Sequence, residues 1–191
     1  EAARSEAAAA RAEADRLTDA IRTAREGLAG KQRAAAAIKN AGAAAAALAA
    51  ASDSGDLVGY VGRLGDLGSI DPAYDAAVSS ACPALDNFVV TDTAAAQRCV
   101  DLLRKGKLGV ATFLILDKQA GLAKAASRPG SPPESAPRLY DLIRPASPDL
   151  APAFFYATRD TVVAADLEQA TRIAYGPDRR WARAVTLAGE L

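Results

Sequence analysis

Residues 1–29 carry a heptad pattern of small or apolar side chains separated by charged ones. Steps of four and three residues alternate, and the positions in this register are Ala3, Ala7, Ala10, Ala14, Leu17, Ile21, Ala24 and Leu28. This spacing places them on one seam of a helix, with Arg and Glu on the flanks. Because Ala buries little area, the pattern favours one strand of an antiparallel coiled coil whose partner strand lies elsewhere. A free helical linker is the alternative.

A second Ala-rich stretch covers residues 31–51, after Gly27 and Gly30 interrupt the heptads. Its high helix propensity predicts that the helix resumes there. Residues 1–52 are therefore predicted to form the Ala-rich end of a coiled-coil arm. Residues 52–55 indicate a loop, and the globular part begins near Leu57.

From Leu57 onward, short apolar runs alternate with amphipathic segments, which predicts a mixed α/β domain. The predicted strands are 88–90, 110–116, 161–164 and 184–187. The predicted helices are 73–82, 93–105, 150–158 and 166–175. Residues 127–137 are rich in Pro and Ser and indicate a loop between two lobes, 53–126 and 138–191.

The two predicted lobes repeat a short pattern at a constant interval. The residues Val89, Asp92, Ala96, Arg98 and Thr112 recur as Val163, Asp166, Ala170, Arg172 and Thr186. Both copies indicate a strand, an Asp, a helix and then a strand that contains Thr. This predicts two similar α/β lobes, each too small to be secure alone. Asp92 and Asp166 are predicted to cap helix N-termini, with catalysis as the alternative.

Composition excludes several classes of site. Lys+Arg and Asp+Glu both number 23, so no overall charge attracts nucleic acid. The chain has no His, the usual general base and the commonest zinc ligand. Cys82 and Cys99 are too few for a disulfide scaffold, fit a reducing compartment and are predicted to be buried. No catalytic residue, metal, cofactor, small-molecule substrate or membrane span is predicted.

Glycine recurs at every third position from Gly59 through Gly62 and Gly65 to Gly68. The run lacks the Gly-Lys-Ser/Thr ending of a P-loop, and it does not match Gly-x-Gly-x-x-Gly. Glycine permits positive φ and the close approach of another backbone. The run is therefore predicted to lie in a partner interface, with a turn-rich loop as the alternative.

Local basic clusters are the candidate DNA contacts. The clusters are Arg104, Lys105 and Lys107; Arg138 and Arg144; and Arg179, Arg180 and Arg183 around Trp181. Arg beside Trp can contact phosphate and stack on single-stranded bases. The alternatives are that Arg104 and Lys105 solvate a helix C-terminus and that Trp181 is a core residue.

The chain after Asp56 resembles the hinge domain of structural-maintenance-of-chromosomes (SMC) proteins. The motifs that match the hinge are Gly62-Arg63-Leu64-Gly65-Asp66-Leu67-Gly68-Ser69-Ile70-Asp71, Ala84-Leu85-Asp86-Asn87 and Ala111-Thr112-Phe113. A further series is similar to the condensin branch, the chromosome-associated polypeptide C subunits: Pro137-Arg138-Leu139-Tyr140-Asp141-Leu142, Ala153-Phe154-Phe155-Tyr156, Arg159-Asp160-Thr161-Val162-Val163-Ala164 and Arg179-Arg180-Trp181.

The resemblance implies a two-lobed hinge at the end of a long antiparallel coiled coil. It implies a non-catalytic dimerisation module that pairs with the hinge of condensin's chromosome-associated polypeptide E, in a full-length parent that is an ATPase through its head domain. The resemblance also implies a role in mitotic chromosome condensation. It implies that the protein lies in the nucleus and on chromosomes, and in the cytoplasm outside mitosis. Single- or double-stranded DNA is a candidate second partner. A stand-alone nucleic-acid-binding α/β domain and a small α/β enzyme are the alternatives.

Hinge pairing is expected to add strands edge to edge between chains. The candidate edges are residues 110–116 and 185–189. Besides the glycines of 59–68, the expected contacts are Val110, Thr112, Leu114, Val185, Leu187 and Gly189. Val110 stands where the family usually has Arg. The sequence ends before the family's Gly-rich segment, so the second lobe is expected to be truncated and to dimerise poorly.

Overall fold

The computed structural model describes the backbone of residues 2–191 and the side chains of residues 16–28, 31 and 42–191. Residues 1–43 and residues 44–191 form two compact units. Helix α1 spans Ala2–Asp53. The helix predicted over both Ala-rich stretches is therefore confirmed, and it runs through Gly27 and Gly30.

In the first unit, an apolar stripe follows the heptad register. Leu17, Ile21 and Leu28 are all more than half exposed. The side chains of Ala3, Ala7, Ala10 and Ala14 lie outside the described set. An exposed apolar stripe is what a coiled-coil strand presents to its partner. The antiparallel partner strand stays a prediction.

The second unit combines short strands and helices. Its strands are β1 (Tyr60–Arg63), β2 (Gly68–Ser69), β3 (Phe88–Val90), β4 (Phe113–Ile115), β5 (Arg144–Pro145), β6 (Val162–Ala164) and β7 (Ala184–Thr186). Its helices are α2 (Asp75–Ala81), α3 (Thr93–Gly106), α4 (Leu116–Gln119), α5 (Ala123–Ala126), α6 (Leu139–Leu142), α7 (Ala151–Thr158) and α8 (Leu167–Ala174). The mixed α/β class predicted from the sequence is confirmed.

The strands form three small sheets. In the first, β3 lies between β1 and β4, antiparallel to β1 and parallel to β4. In the second, β2 pairs with β5 and so joins an early segment to a late one. In the third, β6 and β7 are parallel. Among the described residues, β4 and β7 each have only one neighbouring strand.

The predicted repeat of strand, Asp and helix is present in the structure. Asp92 accepts a hydrogen bond of 2.8 Å from the Ala95 N–H at the start of α3. Asp166 accepts one of 2.8 Å from the Gln169 N–H at the start of α8. Each helix connects two parallel strands, β3 to β4 and β6 to β7. Both aspartates are helix caps, as predicted.

The strand predicted at 110–116 is shorter, because the chain turns sharply after α3. Lys107 and Gly109 have φ values of 51° and 91°, in the left-handed region that breaks an extended run. Val110 is 99% exposed. The Thr112 carbonyl accepts a hydrogen bond of 2.9 Å from the Phe88 N–H of β3, but the strand itself begins at Phe113. Thr112 therefore precedes β4, whereas Thr186 lies within β7. The prediction that both second strands contain Thr is wrong for the first copy.

The core is built by exchange between the two halves of the sequence. Helix α2, from the first half, packs on the sheet of β6 and β7 through Ala77, Val78 and Ala81, against Val163 and Val185. Helix α7, from the second half, packs on β3 and β4 through Ala153, Phe154 and Ala157, against Val89 and Leu114. Each half therefore completes the core of the other. The lobe boundaries at 53–126 and 138–191 stay a prediction.

We expect Asp92→Ala to destabilise the protein at neutral pH but to have little effect in strong acid. Hydrogen bonds from the Ala95 N–H and the Thr91 hydroxyl lower the pKa of the Asp92 carboxyl. A carboxyl with a lowered folded-state pKa stabilises the fold above its unfolded pKa of about 4. That contribution to stability is lost as the pH falls through the pKa of Asp92 in the folded state. Urea unfolding of both proteins at neutral and strongly acidic pH measures it.

The control is Asp92→Asn, which still caps the helix. A loss of stability in Asp92→Ala that stays the same in acid would contradict this explanation.

Candidate partner and nucleic-acid interfaces

Strand β4 is the first candidate interface because it forms one edge of the three-stranded sheet. Its inner side pairs with β3. In the part of the chain that the structure describes, no strand lies on its outer side. An unpaired edge presents backbone N–H and C=O groups that can accept a strand from another chain. The geometry therefore fits the edge predicted here from the sequence.

An apolar cavity of about 280 Å³ lies beside this edge. It is lined by Val100, Leu103, Arg104, Gly109, Val110, Ala111 and Phe113. Val110 projects almost entirely into solvent and Thr112 is exposed. Leu114 is a core residue, which corrects the expectation that its side chain contacts a partner. The Thr112 carbonyl accepts from the Phe88 N–H of β3, so by the alternation along a strand the backbone groups of Phe113 and Ile115 face outward at the edge.

Strand β7 presents a less open edge. The Thr186 N–H donates to the Glu190 carbonyl, and the Gly189 N–H donates to the Thr186 carbonyl, both at 2.9 Å. Val185 is buried, whereas Leu187 is exposed. The edge predicted at 185–189 is therefore partly covered by a turn of the same chain. In that range Leu187 is the predicted contact whose side chain is free to meet a partner.

The glycine run serves the packing of the chain itself at two positions. Gly59 has a φ of 89°, and a Cβ there would lie 2.7 Å from the Cβ of Ala95. A Cβ at Gly68 would lie 2.6 Å from Cζ of Phe154. At Gly62 and Gly65 the nearest atoms would be farther, at 3.1 and 3.4 Å. Packing within the chain is sufficient to require glycine at positions 59 and 68. A partner contact at any of the four glycines stays a proposal.

The first basic cluster lies at the C-terminus of α3. Arg104 and Lys105 occupy the last turn, and Lys107 is the left-handed cap residue. All three side chains are exposed, and none forms an ion pair with a described carboxylate. The position complements the helix dipole, which attracts cations at this end. Both the solvating role and phosphate contact are consistent with this placement.

The basic cluster of Arg179, Arg180 and Arg183 surrounds a buried aromatic ring. Trp181 is 3% exposed and packs with Ala136, Val162 and Ile173. The guanidinium of Arg180 lies 4.5 Å from the ring centroid. This placement corrects the expectation that Trp181 stacks on a base, because both the core and Arg180 cover the ring. Arg183 is also engaged, since its Nη2 donates to the Ala81 carbonyl at 3.2 Å.

Tyr175 is an exposed aromatic residue that was not among the contacts predicted from the sequence. Its side chain is 83% exposed. It lines a cavity of about 510 Å³ together with Leu167, Arg179 and Arg183. An exposed ring near exposed Arg179 meets the requirement for stacking on a single-stranded base. The sequence signal for its exposure was its position directly after the last turn of α8, outside the apolar face of that helix.

The two residues of the Arg138 and Arg144 cluster lie in different environments, because Arg138 is buried and Arg144 is exposed. The side chain of Arg138 is fully buried, and its Nε lies 3.0 Å from Oδ1 of Asp160. Its Nη1 donates to the Arg128 carbonyl at 3.0 Å. Nη2 of Arg180 lies 3.3 Å from the same Asp160 oxygen. Arg138 therefore stabilises the fold and fixes the start of the 127–137 loop, and its side chain is not available to bind DNA.

Metal ligands and reactive thiols are the remaining candidate chemistry of the described residues. No group of three potential metal ligands occurs among them, and no described helix is both long and apolar enough to cross a bilayer. Burial raises the pKa of the Cys82 thiol to about 11 and also raises the pKa of Cys99. Both thiols are thus held protonated at neutral pH, the unreactive form.

The family model for the SMC proteins Flexible Hinge Domain matches residues 57–174. Structural maintenance of chromosomes protein 4 of Mus musculus is 47% identical over 137 residues, which are 72% of this chain and 10% of that protein. The chain thus spans about a tenth of the length of this relative.

Two solved structures share the fold. The Pyrococcus furiosus Smc hinge domain with an extended coiled coil has a TM-score of 0.60 and 27% identity, over 84% of this chain and 55% of that one. An asymmetric dimer of the Geobacillus stearothermophilus SMC hinge domain has a TM-score of 0.60 and 25% identity, over 74% of this chain and 56% of that one. Since the matched segment includes β1 to α8, this chain belongs to the family of SMC hinge domains.

Proposed function

We propose that this chain is the hinge of a condensin SMC subunit of the chromosome-associated polypeptide C type, and that it pairs with the hinge of chromosome-associated polypeptide E. The observation that carries the proposal is the open outer edge of β4 beside an exposed apolar side chain, Val110. Membership of the hinge family and the 47% identity to the mouse protein support it. A solved member of the family is an asymmetric dimer.

Pairing at β4 would extend the sheet across the two chains. A partner strand would bond to the outer backbone of Phe113 and Ile115, and Val110 would be covered by partner side chains. Burying an exposed Val side chain contributes about 1.5–3 kcal/mol. The contact therefore gains both backbone hydrogen bonds and apolar burial.

Pairing at β7 would be weaker in this chain. A partner strand there would have to displace the two backbone–backbone hydrogen bonds that Thr186 makes with Gly189 and Glu190. Each such bond contributes about 1 kcal/mol. Leu187 is the side chain left to meet the partner, so we assign β4 the larger share of the affinity.

We expect Val110→Glu to weaken the complex with the partner hinge at least about tenfold, because it places a charge in a desolvated contact. The fold should be unaffected, since Val110 is solvent-exposed. Native mass spectrometry and sedimentation of the mixed hinges measure the complex. Val58→Glu is the matched control, an exposed Val beside β1 at the opposite edge of the same sheet. No complex with the unmodified chain, or equal weakening by both substitutions, would contradict the proposal.

DNA contact is a second proposal, supported by the exposed cations. Arg104, Lys105 and Lys107 form one surface, and Arg179 with Tyr175 forms another. Phosphate contacts predict binding that weakens steeply with salt. Loss of single-stranded DNA binding in Tyr175→Ala would support stacking at the second surface. Binding that survives charge reversal of both surfaces would refute the proposal.

The wider role follows from the same assignment. As part of condensin, the parent protein would act in mitotic chromosome condensation, in the nucleus and on chromosomes, and in the cytoplasm outside mitosis. Its ATPase activity would reside in the head domain. The hinge itself is a dimerisation module without catalysis.

A further inference from the structure

The chain contains two Ser-Pro dipeptides, Ser131-Pro132 and Ser147-Pro148. The structural surroundings of the two serines differ strongly, although both serines are followed by Pro. We propose that Ser131 is a phosphorylation site for a proline-directed protein kinase, and that Ser147 is protected by the fold. This proposal is independent of hinge pairing.

Ser131 meets the physical requirements of a kinase substrate. It is exposed and lies outside helices and strands. Pro132 has φ −64° and ψ 151°, an extended polyproline-like conformation. Among the described contacts, the Ser131 hydroxyl takes part in no hydrogen bond. Pro132 is extended and directly precedes the short 3₁₀ turn Pro133–Ser135, so a kinase can reach the Ser131 hydroxyl without breaking any described hydrogen bond of that hydroxyl.

The segment around Ser131 is held at both ends. Before it, Arg138 donates to the Arg128 carbonyl at 3.0 Å and Arg180 donates to the Pro129 carbonyl at 3.4 Å. After it, Nη2 of Arg172 lies 2.9 Å from Oε2 of Glu134. Residues 130–133 therefore form an arch between two anchored points. Its modification requires no opening of the core.

Ser147 has the opposite environment. Its Oγ accepts a hydrogen bond of 3.4 Å from the Asp149 N–H and caps the short 3₁₀ turn Pro148–Leu150. Leu150 is buried in the core beneath that turn. A kinase could bind Ser147 in an extended form only after the turn opened and Leu150 left the core. Local opening of this kind lowers the accessible population.

The chemical step is a phosphoryl transfer from Mg²⁺-ATP, supplied with the kinase. The Ser131 Oγ forms a bond to the γ-phosphorus, and the bond from that phosphorus to the β,γ-bridging oxygen breaks. ADP leaves, and the hydroxyl proton passes to a carboxylate base of the kinase. The product adds a charge of about −1.5 to −2 to the arch at neutral pH.

The test is incubation of the purified chain with a proline-directed kinase and Mg²⁺-ATP, followed by site mapping with tandem mass spectrometry. We expect phosphate on Ser131, none after Ser131→Ala, and at least about tenfold slower transfer after Pro132→Ala. In short synthetic peptides both serines should react at similar rates, whereas in the folded chain Ser147 should react at least about tenfold more slowly than Ser131. Ser147→Ala should leave the rate of phosphoryl transfer to Ser131 in the folded chain unchanged.

Three outcomes would overturn the proposal. The first is a folded chain that stays unmodified at Ser131 while its peptide reacts. The second is an inert Ser131 peptide. The third is equal reaction of both serines in the folded chain, which would show that the fold does not distinguish them.

Discussion

Arg138→Ala is expected to lower the free energy of unfolding by about 3–5 kcal/mol, the range for removing one partner of a buried ion pair. The arginine is fully buried and lies 3.0 Å from Asp160. Its guanidinium also lies 5.0 Å from the Tyr140 ring and 5.1 Å from the Phe155 ring. Its removal leaves Arg180 as the only described ion-pair partner of Asp160 and opens a cavity beside the two aromatic rings, which contact each other edge to face. Urea unfolding followed by circular dichroism measures the loss.

Two controls separate the causes of this loss. Arg138→Met keeps most of the volume and removes the charge, so it isolates the ion pair from the cavity. Arg172→Ala removes a more exposed arginine that pairs with Glu134 and Glu168, and it should lower stability much less, because water screens exposed ion pairs. If Arg138→Ala and Arg172→Ala had equal effects, the buried network would not hold the fold as we infer.

Trp181→Ala is expected to lower the free energy of unfolding by about 3–5 kcal/mol, the usual loss for truncating a buried Trp. Trp181 fills the space between Val162 and Ile173, and Arg180 covers its exposed side. A ring reserved for stacking on DNA would face solvent, and its removal would barely change stability. Urea unfolding followed by circular dichroism measures the difference.

Fluorescence gives a second measurement, because Trp181 is the only Trp in the chain. Emission should shift to longer wavelength on unfolding, as the ring leaves the core for water. Trp181→Phe is the control, since it retains an aromatic ring and should lose less stability than Trp181→Ala. A loss below about 1 kcal/mol in Trp181→Ala would contradict its place in the core.

Local signals in the sequence predicted much of the fold. Asp92 and Asp166 each precede a helix, and both prove to be caps, because capping depends only on residues within one turn. The apolar runs of β3 and β6 were also recognised. The family resemblance, carried by residues after Asp56, is confirmed.

Features that depend on distant contacts were not predicted. The two-residue strands β2 and β5 are too short to show a pattern, and their pairing joins Gly68 to Pro145. The helices α4 and α5 were missed, because Gly121 interrupts their apolar spacing. An Arg beside a Trp has the same sequence signature on a surface and in a core. Only the packing of Val162 and Ile173 decides the role of Trp181.

The exchange of helices α2 and α7 between the halves has a consequence for cleavage of the backbone. A protease cut in the 127–137 loop would produce two fragments, each holding a helix that the other needs. The fragments should remain bound after the cut, and they should separate only when the whole domain melts. Mixed in dilute solution, two separately made fragments would reconstitute one native body.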